Sequence, residues 1–294
     1  MTRRFLEKTY EMHPNPVPAM SWADYSKVVS DEWAQLINSD ESREEAKIQR
    51  FLESHPCMVP GAFRLNSWHS HSPYTSFVIA QPPLQGIGAK VPDFMWIAGD
   101  SETLRPVLVE IETPDKRWFT KAGHPTAQFT QAHHQLAQWK DWMSNPTNQG
   151  VFYATYGIDG YFLNSLAFKP HYILVYGRRS EFAQNPELNK LRVQLHTHDE
   201  TIMTFDRLEP DPKADQMMCV SKRADGLKAV SVPATLCLDP GRAKSRARVY
   251  GKEEAVRANP LISEERKAFL AERIRYWDQW AQEPEGIISS GDSE

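Results

Sequence analysis

Three carboxylates, Asp93, Glu110 and Glu112, stand in or beside apolar runs within residues 91–117, VPDFMWIAGDSETLRPVLVEIETPDKR. Carboxylates held side by side repel, and partial burial sharpens the repulsion. A shared proton, a cationic side chain or a divalent metal must compensate. Mg²⁺ suits such a place, because it takes one or two carboxylates and completes its shell with water and phosphate oxygens. An ion held there polarises a phosphodiester and lowers the pKa of a bound water. The chemistry on offer is metal-dependent phosphodiester hydrolysis. From spacing alone, the stretch reads equally well as two strands with polar ends, Asp93 following Pro92 and the two glutamates facing solvent.

The elements around these residues decide how they meet. GDSETL is a turn-rich link between two apolar runs and predicts an antiparallel hairpin. A hairpin centred near Ser101–Glu102 sets Asp93 opposite Glu110, where paired Cβ atoms are ~4.5–5.5 Å apart. Alternation then puts Asp93, Met95, Ile97, Leu108, Glu110 and Glu112 on one face, and Phe94, Trp96, Val107, Val109 and Ile111 on the other. Upstream, SREEAKIQRFLESHP predicts a helix, with Ser42 and Glu45 in capping-box spacing and Pro56 as its stop. Downstream, residues 126–143 predict a helix with Phe129, Ala132, Leu136, Trp139 and Met143 as an apolar stripe. Gln128, Gln131, Gln135 and Gln138 form a polar stripe beside it. A loop is expected over 145–150, a buried strand over 171–177, a short helix around 186–194 and a strand over 201–208. With a further strand over YTSFVIAQ (74–81) ahead of the hairpin, the core order is helix, three strands, helix, strand.

Outside this region the character changes. Residues 1–41 read as an N-terminal arm, rich in Pro at first, followed by a helix. Residues 209–294 read as a smaller C-terminal extension with an amphipathic helix over 263–281 and a disordered tail from about 284. Within it, GRAKSRARV alternates Arg242, Lys244, Arg246 and Arg248 with small residues. On a strand these four cations would line one face and track a phosphate backbone. The same pattern also serves to discourage strand pairing at a sheet edge.

Composition narrows the setting. The net charge of −4 over 294 residues excludes a global polyanion binder, so nucleic-acid contact requires a local basic patch. Cys57, Cys219 and Cys237 are isolated, which predicts neither a disulfide framework nor a zinc knuckle. No apolar run approaches the ~20 residues of a membrane helix, and the first 20 residues lack a signal-peptide core. A cytoplasmic protein with no membrane partner is expected.

VPDF on one strand and VEIE on the next resembles the PD-(D/E)xK nuclease superfamily. More closely, AKIQRFLESHP, VPDFMW, VLVEIETPDKRWFT, HPTAQFTQAHHQLAQWKDW, YILVYGRR and TFDRL, in that order, resemble the Shedu anti-phage defence proteins of bacteria. The resemblance spans roughly residues 42–208. It implies an α/β nuclease-like core, a mixed central sheet flanked by helices, with the arm before it and a small α+β extension after it. It implies a Mg²⁺- or Mn²⁺-dependent DNA endonuclease, with DNA, further copies of the chain and a phage-derived trigger as partners. Carried over by motif, Asp93 and Glu110 become metal-binding carboxylates and the Ile111 carbonyl a further ligand. Glu45 resembles the first-helix acid of the superfamily, although capping explains it equally. The superfamily's usual Lys is replaced here by Glu112, which leaves Lys116 or Lys121 to fold back and supply the cation. Gln135 and Trp139 resemble a Gln-x-x-x-Tyr element that reaches the site, or else form an exposed helix face. Arg178 and Arg179 are candidates for phosphate contact, or a solvated strand end. The alternative to an enzyme is a catalytically inactive nuclease fold that senses DNA or a phage protein, a reading supported by the Lys-to-Glu change.

Overall fold

A computed structural model describes residues 8–63, 65, 71–158, 165–183, 185–195, 197–282 and 293–294. The tail expected from about 284 lies outside the described residues except for the last two, as do residues 1–7 and His69.

Among the described residues, ten strands join one mixed sheet, and eight helices flank it. The strands are β1 (Ser72–Pro73), β2 (Phe77–Ala80), β3 (Phe94–Gly99), β4 (Thr103–Ile111), β5 (Ala167–Phe168), β6 (His171–Val175), β7 (Glu200–Met203), β8 (Met218–Arg223), β9 (Gly226–Ser231) and β10 (Val249–Tyr250). The helices are α1 (Trp22–Ile37), α2 (Glu45–Ser54), α3 (Ala127–Ser144), α4 (Pro146–Tyr156), α5 (Pro186–Gln194), α6 (Pro240–Ala247), α7 (Lys252–Ala258) and α8 (Glu264–Ala281). The main path is β10-β9-β8-β2-β3-β4-β6-β7. β3 and β4 are antiparallel, whereas β4, β6 and β7 run parallel. The three parallel strands therefore end along one edge, where their exit loops gather.

Burial explains the sheet's centre. β3 is buried throughout and β4 nearly so, as strands covered on both faces must be. The Trp96 face lies under the segment after α2, where Trp96 Nε1 donates to the Pro60 carbonyl at 3.1 Å. The opposite face lies under α3. Tyr172, Leu174 and Tyr176 share the face of Leu108 and Glu110 through the β4–β6 register. Phe129 of α3 meets Tyr176 edge-on at 5.3 Å, and Lys140 sits 5.5 Å over the Tyr172 ring. His133 and Lys140, two turns apart, both bond Glu200 on β7, at 3.0 and 2.7 Å.

Several local expectations need correction. The Ser42–Glu45 capping box does not form. Ser42 sits inside a 3₁₀ turn and bonds back to the Ser39 carbonyl, and Glu44 occupies the N-cap of α2 without a side-chain cap. The loop expected over 145–150 is instead the start of α4. Asn145 caps it by accepting from the Thr147 N–H, and Pro146 opens it. The basic run is not a strand either: Asp239 caps α6 and Pro240 begins it. Its cations therefore point in different directions. Arg242 pairs with Asp239 and Arg248 donates to the Tyr156 carbonyl. Arg246 is buried and donates to the carbonyls of Cys237 and Gln216. Only Lys244 and Arg248 of the four are exposed. Arg246→Met should leave two buried carbonyls short of a donor and cost about 2–4 kcal/mol, read as a lowered urea midpoint.

The region after residue 208 contributes β8, β9 and β10 to the same sheet, through the parallel pairing of β8 with β2. The N-terminal arm lacks regular structure over residues 8–21 and lies along α8. Trp280 Nε1 donates to the Thr9 carbonyl at 2.7 Å, and Arg273 donates to the Glu11 carbonyl at 2.8 Å.

Candidate metal-binding carboxylate site

The hairpin register is the expected one. Phe94 pairs with Val109 and Met95 with Leu108, which continues to Asp93 beside Glu110. Asp93 Oδ2 accepts the Ile111 N–H at 2.7 Å, and this bond fixes the carboxylate across the strand end. Side by side and largely out of water, two carboxylate anions repel, and the repulsion is relieved when one of them takes a proton.

The electrostatics assign it to Glu110. Burial first, then the charges of Asp93, Glu112 and Glu45, push the Glu110 carboxyl up to about 10. Burial also raises Asp93, to about 7, although the Ile111 N–H favours its anion. Glu45, at the first turn of α2, is raised by burial and by Glu112, while Lys116 pulls it down. Four acids thus converge where the edge of the sheet meets the start of α2. Of these, Glu110 is buried and Asp93 and Glu112 are half-buried.

One cation answers them. Lys116 lies past the end of β4, and its Nζ folds back to pair with Glu112. The fold-back has local causes. Lys116 N–H donates to the Thr113 carbonyl, and Thr113 Oγ1 donates to Asp115. Trp118 then anchors the loop: its Nε1 donates to the Tyr176 carbonyl at 2.8 Å and its ring stacks on Phe129 at 5.0 Å. Glu181 accepts the backbone N–H groups of Trp118 and Phe119, both at 3.0 Å. Gly177 makes room, with φ +59° and a would-be Cβ 2.6 Å from the Lys116 carbonyl oxygen. Gly177→Ala should cost about 1–3 kcal/mol through strain and clash and displace Lys116. The check is a thermal melt together with the loss of Trp118 burial by fluorescence quenching.

The other sequence candidates are placed as follows. Gln135 is half-buried on α3, one turn before Gln138, which accepts from Lys90 Nζ at 2.7 Å. Gln138 therefore touches the segment leading into Asp93, while Gln128 and Gln131 are exposed. Trp139 belongs to the core. Arg178 is engaged by Asp206, the Ile37 carbonyl and Asn38. Arg179 is exposed, as is Lys121. His133 bonds Glu200, and buried His71 bonds the Gly61 carbonyl. Sequence reasoning missed Glu181 and Gly177 as the supports of Lys116.

Among the described residues, no three His, Cys, Asp or Glu side chains form a ready-made metal cage. The donor chemistry nonetheless fits a hard divalent cation. Two carboxyl groups stand side by side where an ion would relieve their repulsion, and Mg²⁺ takes few protein ligands and keeps its waters.

An α/β protein with a mixed sheet and a carboxylate pair at the strand ends is what the fold and the site define. The family model for the C-terminal part of the Shedu protein SduA matches residues 42–208, more than half of the chain, and the chain belongs to that family. Membership implies a part in anti-phage defence. No curated protein matches the chain. No helix among the described residues is long and apolar enough to cross a membrane.

Proposed function

We propose that the protein is a metal-dependent DNA endonuclease of the PD-(D/E)xK type, acting in anti-phage defence. The observation that carries this reading is the strand register that sets Asp93 beside Glu110, with Asp93 held by the Ile111 N–H and Lys116 folded back onto the neighbouring Glu112. Asp93, Glu110 and the Ile111 carbonyl would hold Mg²⁺ or Mn²⁺, with Glu45 close by. The ion, when bound, supplies Lewis-acid polarisation of the scissile phosphate and activation of the attacking water.

The chain's own groups divide the remaining tasks. The Ile111 N–H holds the Asp93 carboxylate in one orientation. Lys116 occupies the electrostatic place of the missing superfamily Lys, and Glu112 steers its ammonium and can accept a proton from water. The Lys116 charge is also placed to stabilise negative charge developing on the phosphoryl oxygens. Lys116→Ala should therefore lower kcat on the order of a hundredfold and alter KM little.

The test is cleavage by pure protein of linear, supercoiled and single-stranded DNA, with Mg²⁺, with Mn²⁺ and in EDTA. Metal-dependent turnover on any of the three supports the reading. Its absence on all three would leave a nuclease fold used for sensing.

A further inference from the structure

The carboxyl ends of the parallel strands also deliver arginines to the edge where the site lies. In β6 and β7, Val175 pairs with Met203. Arg179 and Arg207 each stand four residues beyond that pair, in the short 3₁₀ turns that leave the two strands. Asp206 clasps these turns together, accepting from Arg178 Nε at 2.9 Å and from the Arg179 N–H at 2.6 Å. Arg192 joins from α5, its guanidinium 4.9 Å over the Phe182 ring and 5.9 Å over Trp118, two residues past Lys116. Phe182, under Arg192, donates its N–H to the Arg179 carbonyl, and Asp206, beside Arg207, accepts the Arg179 N–H, which gathers the three arginines along one edge. The Arg192 pKa is accordingly lowered by burial and then by Arg207 and Arg179. The exit of β4 is tied to the same edge, because the Glu112 N–H donates to the Val175 carbonyl at 3.1 Å.

The acids here are already engaged: Asp206 by Arg178, and Glu181 by the Trp118 and Phe119 amides. Among the described residues, Arg179, Arg192 and Arg207 form no ion pair, unlike Arg178 or Arg242. Like charges gathered without counter-ions oppose folding and favour a polyanion. Duplex DNA, with one charge per ~1.7 Å of axis, presents phosphates to several such cations at once.

We propose that Arg179, Arg192 and Arg207 form a phosphate clamp that seats duplex DNA across the edge holding Asp93 and Glu110. The clamp rests on the nuclease reading for its purpose and on its own geometry for its existence. It replaces the basic run of α6 as the nucleic-acid surface.

The experiment is fluorescence anisotropy of the full chain with a labelled 30-base-pair duplex in EDTA, over a salt series. Arg179→Gln with Arg207→Gln is the first variant; both residues are exposed, so folding is not at stake. Arg192→Gln is added second, since Arg192 also packs on rings. Each replacement should flatten the plot of log affinity against log salt by about 1, with equal weakening on unrelated sequences. A triple variant with the wild-type slope, or a wild-type chain that binds no duplex, overturns the clamp. Weakening confined to a single-stranded probe overturns its assignment to duplex. Unchanged slopes beside intact cleavage would sink the clamp alone. A salt-sensitive clamp on a chain that never cleaves would support the clamp and sink the nuclease.

Discussion

Asp93→Ala and Glu110→Ala are each expected to abolish plasmid nicking in Mg²⁺, by on the order of a thousandfold, while the chain stays folded. The size follows from what each carboxylate does. On the proposed reading, losing one of the two carboxylate ligands would remove most of the affinity for the ion, and with it the polarisation of the phosphate and the activated water. Electrostatic stabilisers of this kind cost about 10²–10³ apiece when deleted. Asp93→Asn is the sharper control. It keeps the size of the side chain, and its amide oxygen can still accept the Ile111 N–H, but it brings no charge to the ion. Circular dichroism establishes folding, and agarose-gel assays give the rate. Full cleavage by both alanine variants would remove the pair from the mechanism.

Glu110→Gln makes the metal-free protein more stable at neutral pH, not less. Burial and neighbouring acids raise Glu110 from 4.5 to about 10 and Asp93 from 3.8 to about 7. A raised carboxyl binds its proton more tightly in the folded chain than in the unfolded one. Its stabilising contribution is therefore complete below the unfolded pKa and is lost as pH rises toward the folded pKa. The slope is about 1.4 kcal/mol per pH unit for each extra proton held. Without metal, stability should fall steadily between about pH 4.5 and pH 10. Gln has no proton to lose, so its advantage over the wild type should grow as pH rises from about 4.5 through neutrality. Chemical melts in EDTA at half-unit pH steps measure it. A wild-type curve that is flat or rises with pH across this window would contradict the buried pair.

Much of this site was legible in the residues, because a hairpin obeys arithmetic. A turn centred at Ser101–Glu102 fixes every opposite pair, and Asp93 falls beside Glu110 in the structure as in the sequence. The stripe of α3 was legible for the same reason, since 3.6-residue periodicity is a local property. The failures were contests between two local signals. Asn145-Pro146 and Asp239-Pro240 both look like loop residues, yet an N-cap followed by Pro is also how a helix starts. Arg242, Lys244, Arg246 and Arg248 alternate, but a two-turn helix tolerates alternation when the residues between, Ala243, Ser245 and Ala247, are small. Ser42 and Glu45 had capping-box spacing, and a preceding 3₁₀ turn moved the cap to Glu44.

What could not be read was long-range. The β2–β8 pairing joins residues about 140 apart, and parallel pairing leaves no turn to find. The support of Lys116 comes from Gly177 and Glu181, some 60 residues on, where neither residue stands out in a strand-loop-helix stretch. The arginines of the edge converge only because β6 and β7 lie side by side.

The central claim is that Asp93 and Glu110 share a proton which a divalent ion displaces. Calorimetric titration of the metal-free protein with Mn²⁺ at pH 7, repeated in buffers of different ionisation enthalpy, tests it most directly. The expected result is one tight site that releases about one proton per ion, with affinity lost in Asp93→Ala and proton release lost in Glu110→Gln. Binding without proton release, or equal affinity in the wild type and both variants, would contradict it.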